Sequence, residues 1–244
     1  MEIFRVLLTP HDFFFYVSRE YGRVGITENI ISNYALMYAL NDESFSRLAS
    51  GTKPHYEEDI KRFSVYATPA RPYSGSALIG EKKIPWSWED PVWISYNALD
   101  STLLFTMEKD KIIKRKYNVP KVGTYLKHPP LNTFEFFIIG SPKKKVIRIG
   151  KKLSPARIRL FKCEDIKIKS GRFTPSHPVN YMDIKEKTNI IRGRFLTIPP
   201  VPLILDAVLE GEYIECRFVN ERGYKTKAII ALPDKNQYPG VFHE

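Results

Sequence analysis

The stretch ARIRLF, residues 156–161, alternates: Arg157 and Arg159 fall on one side, Ile158 and Leu160 on the other. A repeat of two residues belongs to an extended chain with one buried and one wet face, so this segment must lie in a sheet whose wet face is basic. Other stretches ask for strands too. EIFRVLLT (2–9) is a short apolar strand, ended where Pro10 withdraws a backbone donor and constrains Thr9. FEFFIIG (134–140) is a buried strand turned by Gly140-Ser141-Pro142, and VIRIG (146–150) follows it. RFSVYAT (62–68), VWISYN (92–97) and TLLFTM (102–107) are shorter candidates, and KDKIIKRKY (109–117) reads as a basic hairpin arm. GEYIECRFVNERGYKTKAIIALP (211–233) predicts a β-hairpin turning near 220–223.

One helix stands out. In TENIISNYALMYAL (27–40), Ile30, Tyr34 and Tyr38 recur every fourth residue, with Ile31, Ala35 and Ala39 in the parallel row. Thr27 is the expected N-cap, Glu28 suits the first turn and Asn41 the stop. Residues 69–91, rich in Pro, Gly and Ser and carrying Trp86 and Trp88, read as an irregular insertion or loose hairpin, and Pro120, Pro129 and Pro130 punctuate a later loop. The expected class is α+β, β-rich, with one main helix.

Charge is concentrated. Residues 1–140 hold 17 Lys+Arg against 16 Asp+Glu, residues 141–172 hold 12 against 2, and residues 173–244 hold 9 against 9. Nearly all of the net +11 therefore lies in one short segment. Lys143, Lys144 and Lys145 fall in one turn, Lys151 and Lys152 in the next, and Arg148, Arg157 and Arg159 on the strands between. If those strands pair, the clusters meet in one patch suited to phosphates, whose counterion release drives binding without regard to sequence. The competing reading is a solvated, charge-rich hairpin. Arg19 and Arg23 in SREYGRVG, and Arg71 in TPARPYSG, stand beside Tyr16, Tyr21 and Tyr73. Arg with exposed aromatics can clamp unstacked bases; equally, the aromatics are core and the arginines pair on the surface.

Other chemistry finds little footing. Cys163 and Cys216 form neither a disulfide framework nor a zinc motif, which fits two buried thiols in a reducing compartment. The five His lack metal-ligand spacing, so no metal and no cofactor is expected. GSALIGEK (75–82) nearly spells a phosphate loop, but Glu81 stands where its lysine should be. His11 and Asp12 are adjacent, so in a strand they point to opposite sides and make no acid–base dyad. No apolar run is long enough to span a bilayer, and the N-terminus is a poor signal peptide, so a cytoplasmic protein with no membrane partner is expected.

The opening LTPHDFFFYVSREYGRVGITENIISNYALMYAL, with VYATPA near Val65, YNALDSTLLFTMEK near Tyr96 and RIGKKLSPARIRL near Arg148, resembles one CRISPR family. That family is the crRNA 5′-handle subunit of the type I-D Cascade effector, in the RAMP superfamily. Its basic block matches here as Gly150, Lys151, Lys152, Ser154, Ala156 and Arg157, and a second block as Arg19, Glu20, Gly22 and Arg23. Val24, Gly25 and Ile26 depart from its pattern. The resemblance implies a single RAMP-type domain over 1–244, with an RRM/ferredoxin-like antiparallel sheet, one main helix and a large β-hairpin insertion near 69–130. It implies a non-catalytic role holding the crRNA handle, with contacts to the Cascade backbone subunit and large subunit near target DNA beside the PAM. The expected RNA-binding residues are Arg19, Arg23, Lys143, Lys144, Lys145, Arg148, Lys151, Lys152, Arg157 and Arg159, with no catalytic residue. Residues 13–16, Trp86 and Trp88 are candidates for protein contacts. The alternative is a metal-independent endoribonuclease that processes precursor crRNA, as a related subunit of another Cascade subtype does; it needs His11 or a Tyr/Lys pair at the scissile phosphate.

Overall fold

The computed structural model describes residues 1–41, 54–73, 88–108, 111–184, 186–219, 223 and 225–242. At its centre lies β1 (Ile3–Pro10), antiparallel to β8 (Phe134–Ile139) on one side and to the first half of β10 (Ser154–Phe173) on the other. The short strands β4 (Tyr66–Ala67) and β5 (Arg71–Pro72) pair with the far edge of β8, and β9 (Val146–Ile149) pairs with the start of β10. The order β10-β1-β8-β4 is antiparallel throughout.

Register explains why this centre holds. Leu8 stands between Phe134 and Ile158, and Val6 between Phe136 and Leu160, so one face is apolar across three strands. That face closes over Leu36, Met37 and Leu40 of helix α1 (Asn33–Leu40) in one core. Each such side chain removed from water contributes about 1.5–3 kcal/mol. The opposite face carries Leu7, Thr9 and Arg5 on β1, Glu135 on β8, and Arg157 and Arg159 on β10. Glu135 is buried there between Arg5, at 2.6 Å, and Arg71, at 3.2 Å.

The helix begins later than its periodicity predicts. Thr27 does not cap it; its hydroxyl donates to the Tyr16 carbonyl at 2.8 Å. Ile31 bridges Ala70 as extended chain, and Ser32 precedes the first turn. The predicted stop holds, because the Asn41 amide donates to the Met37 and Val65 carbonyls while its Oδ1 accepts from the Ser64 and Val65 N–H groups.

β10 runs for 20 residues. Beyond a bulge between Cys163 and Asp165 it leaves β1 and pairs with β13 (Leu203–Val219). β13 also carries β11 (Val179–Asn180), β12 (Asn189–Leu196) and β14 (Lys225–Ala231), the last as the predicted C-terminal hairpin. Cys163 and Cys216 are free and buried here, and burial pushes the Cys216 thiol up. Among the short helices are α2 (Tyr56–Asp59), α3 (Tyr181–Ile184) and α4 (Pro239–Phe242). Asp183 of α3 is buried and accepts from Asn33 Nδ2 at 2.9 Å, the Tyr66 hydroxyl at 2.8 Å and the Tyr238 hydroxyl at 2.6 Å. This network ties α1 and β4 to the C-terminal segment.

A second, four-stranded sheet runs β2 (Arg19–Tyr21), β3 (Val24–Ile26), β7 (Lys111–Lys127), β6 (Val92–Glu108). The segments expected as separate short strands and a loop form one continuous hairpin, and Pro120 lies within it opposite Leu99. Where this arm meets the body, Phe15, Tyr125 and Tyr96 stack in series at 4.6 and 4.8 Å between centroids. Gly123 leaves room for the Tyr96 ring; a Cβ there would collide with it. Trp86 and residues 75–82 lie outside the described residues, as does part of the 220–223 turn. No described helix is long and apolar enough to cross a membrane.

Candidate nucleic-acid interface

The basic segment divides in two. In its second half the lysines are neutralised: Lys162 pairs with Glu2, Lys167 with Asp165 at 3.4 Å, and Lys169 with Glu215 at 2.9 Å. Lys227 joins Lys169 on Glu215, and their hydrogen bonds draw its carboxyl down to about 2. In the first half, Lys143, Lys145, Arg148, Lys151, Lys152 and Arg157 are exposed and touch no carboxylate among the described residues.

Local structure fixes where these cations stand. Pairing of β9 with β10 sets Arg148 beside Pro155 and Val146 beside Arg157, on the face away from α1. Arg159 follows on that face, half-buried. The β9–β10 turn holds Lys151 and Lys152 and is made possible by Gly150, whose φ of +72° and close approach to the Phe15 carbonyl exclude a side chain. The Lys151 N–H donates to that same carbonyl at 3.0 Å, and the Arg148 guanidinium donates to the Leu153 carbonyl at 3.2 Å. Lys143, Lys144 and Lys145 lie at the other end of β9. The expected patch is therefore drawn out along one strand and its two turns as a strip.

Lys144 faces inward. Its Nζ donates to the Ala39 carbonyl at 3.3 Å, in the last turn of α1, where a cation complements the helix dipole. Arg19 and Arg23 lie apart from the strip, on the β2–β3 hairpin of the second sheet. Arg19 pairs with Glu28 at 3.4 Å, and Arg23 is exposed at the turn. Arg71, grouped with them in sequence, instead joins Glu135, and Tyr73 lies over Arg5 with 5.4 Å from guanidinium to ring centroid. Phe14 and Phe15 are buried, and Trp88 packs edge-on to Phe134, so these serve the core rather than a partner surface. Phe13 stays exposed, and among the described residues so do Tyr21, Trp93 and Phe195. Phe195, with Arg192 and Arg194, lies on β12, a strand that no sequence signal marked because its residues alternate only weakly.

His11 is exposed just past the end of β1, and its backbone N–H donates to the Pro155 carbonyl at 2.9 Å; Asp12 Oδ1 accepts from the Phe13 backbone N–H at 2.7 Å. The two shape a turn at the rim of the strip. Among the described residues no cluster of His, Cys, Asp and Glu could hold a metal ion.

Comparison with known families places this chain among the CRISPR-associated proteins. The chain belongs to the family described as Type I-D CRISPR-associated protein Cas5/Csc1, whose model matches residues 1–240. No curated protein matches it. Among solved structures it is similar to a chain of the Type III-B Cmr-beta complex bound to cognate target RNA and AMPPnP, with 10% identity, 84% of this chain and 86% of that chain covered, and a TM-score of 0.47. A CRISPR protein from Archaeoglobus fulgidus is also similar, with 10% identity, 93% and 99% covered, and a TM-score of 0.39.

Proposed function

We propose that this chain is a non-catalytic, nucleic-acid-binding subunit of a type I-D CRISPR interference complex. It holds the crRNA 5′ handle and contacts the backbone and large subunits near the PAM end, beside target DNA. The observation that carries this reading is the unneutralised strip of Lys143, Lys145, Arg148, Lys151, Lys152 and Arg157. Unpaired cations on adjoining elements repel one another, and a polyanion laid along them relieves that repulsion. The adjoining half of the same segment is neutralised within the chain. Family membership supports a CRISPR nucleic acid as the polyanion. The chain is one RAMP-type domain in this reading. The order β10-β1-β8-β4, with α1 after β1, fits a split βαβ core of the ferredoxin-like kind, and the β6–β7 arm is its insertion.

Lys151→Glu with Lys152→Glu tests the reading. Both side chains are exposed, so the variant keeps its melting temperature, and retention of handle RNA falls about tenfold or more. Unchanged retention rules the strip out. His11 at the rim of the strip is what favours the endoribonuclease alternative. Incubation with repeat RNA in EDTA separates the two: the binding role gives intact RNA, whereas specific cleavage lost in His11→Ala reassigns the chain as a nuclease.

A further inference from the structure

The strip does not stop at Lys151. Lys151 lines a groove of about 400 Å³ whose walls include Tyr16, Ser18, Ile30, Ile198 and Pro199. Ile30 also lines the next hollow, a cleft of about 320 Å³ between the β2 hairpin and the edge strand β12, bounded by Arg19, Glu28, Arg194, Phe195 and Leu205. Arg19 follows Ser18 in the chain, so the two hollows adjoin along one wall.

The cleft has the parts that hold an unstacked nucleotide. Phe195 is 52% exposed, and among the described residues its one ring neighbour is Tyr181, edge-on at 5.9 Å. A ring so placed offers a stacking surface to a base of any identity. Arg19 is committed to Glu28, but among the described residues Arg194 pairs only with Asp206, at 3.7 Å, with both side chains largely in solvent. Its guanidinium is thus free to exchange that carboxylate for a phosphate, which it would bind through paired N–H groups. Gly193 keeps β12 close to β13, since a Cβ there would strike Ile204, and this holds Arg194 and Phe195 at the cleft mouth.

We propose that a single strand lying on the strip continues past Lys151 along the groove and delivers one extruded nucleotide to this cleft, its base on Phe195 and its phosphate on Arg194. The proposal rests on the nucleic-acid reading of the strip and extends it to residues more than thirty positions further along the chain.

Photocrosslinking of the full chain to a single-stranded RNA substituted with 4-thiouridine tests it, with crosslinked peptides mapped by mass spectrometry. Crosslinks are expected both in the β9–β10 turn and within β12. Phe195→Ala removes the β12 crosslink, keeps the turn crosslink and weakens binding about tenfold, the ordinary loss when an aromatic stacking partner is truncated. Phe195 is exposed, so the variant folds; Arg194→Ala gives a second variant with the same expected loss. Crosslinks confined to the turn, with both variants binding as the parent does, overturn the cleft and leave the strip standing. Loss of crosslinks at both places overturns the strip as well.

Discussion

Lys144 and Lys152 belong to the same run of positive charge and have different duties. Lys144 donates to the last turn of α1, so Lys144→Ala is expected to lower stability by about 0.3–1 kcal/mol in a denaturant melt while leaving RNA affinity nearly intact. Lys152 touches no carboxylate among the described residues, and its loss should do the reverse. Two buried groups make stability depend on pH in opposite senses. Burial pushes Asp183 up to about 7, although three donated hydrogen bonds restrain the rise. The unfolded chain releases that proton near 4, so the stability Asp183 contributes is full below that pH and is lost as pH rises to about 7. Burial holds His177 down to about 4, so its contribution is full above about 6.5 and is lost as pH falls. Each is worth at most about 3–4 kcal/mol. The two slopes oppose one another between about pH 4 and 6.5, so each offsets part of the other there. Asp183→Asn removes one of them, and its melting temperature should climb with pH across that window; a flat curve in the variant contradicts the assignment.

At the level of elements, the strands with strong chemistry were legible and the weakly patterned ones were not. Continuous apolar residues announced β8, and the alternation of Arg157 and Arg159 with Ile158 and Leu160 announced β10 with its basic face. Local spacing points to an earlier start for α1, because Ile30 and Ile31 satisfy a helical period while Ile31 bridges Ala70, a long-range contact that spacing cannot reveal. β12 leaves no signal in the sequence, because a strand exposed along most of its length has no apolar face to betray it. Sequence alone shows the β6–β7 arm as fragments, since Pro120 argues against a strand interior and its tolerance depends on the pairing beside it. The base of that arm gives a prediction of its own. Gly123→Ala must displace the Tyr96 ring from Tyr125, so near-ultraviolet circular dichroism should lose tyrosine intensity while the melting temperature of the core barely changes. An unaltered spectrum would show that the stack does not depend on this glycine. By contrast Phe136→Ala, in the fully buried face of β8, should cost about 3–5 kcal/mol.

At the scale of the whole molecule, the excess charge was visible in composition but its division was not. Only the pairing of β13 with β10 and with β14 brings Glu215 to Lys169 and Lys227, and only the contact of Lys162 with Glu2 closes the other end. What remains unneutralised is fewer charges on a longer track than the sequence suggests. If that track meets about 6–8 phosphates of single-stranded RNA, the logarithm of affinity should fall against the logarithm of salt concentration with a slope of roughly −4 to −6. A slope near zero contradicts electrostatic binding. The most direct measurement is a cryo-EM map of the copurified assembly with its guide. Phosphate density within hydrogen-bonding reach of Lys145, Arg148, Lys152 and Arg157 is the predicted result; a β9–β10 hairpin facing bulk solvent, remote from every nucleotide, would contradict it.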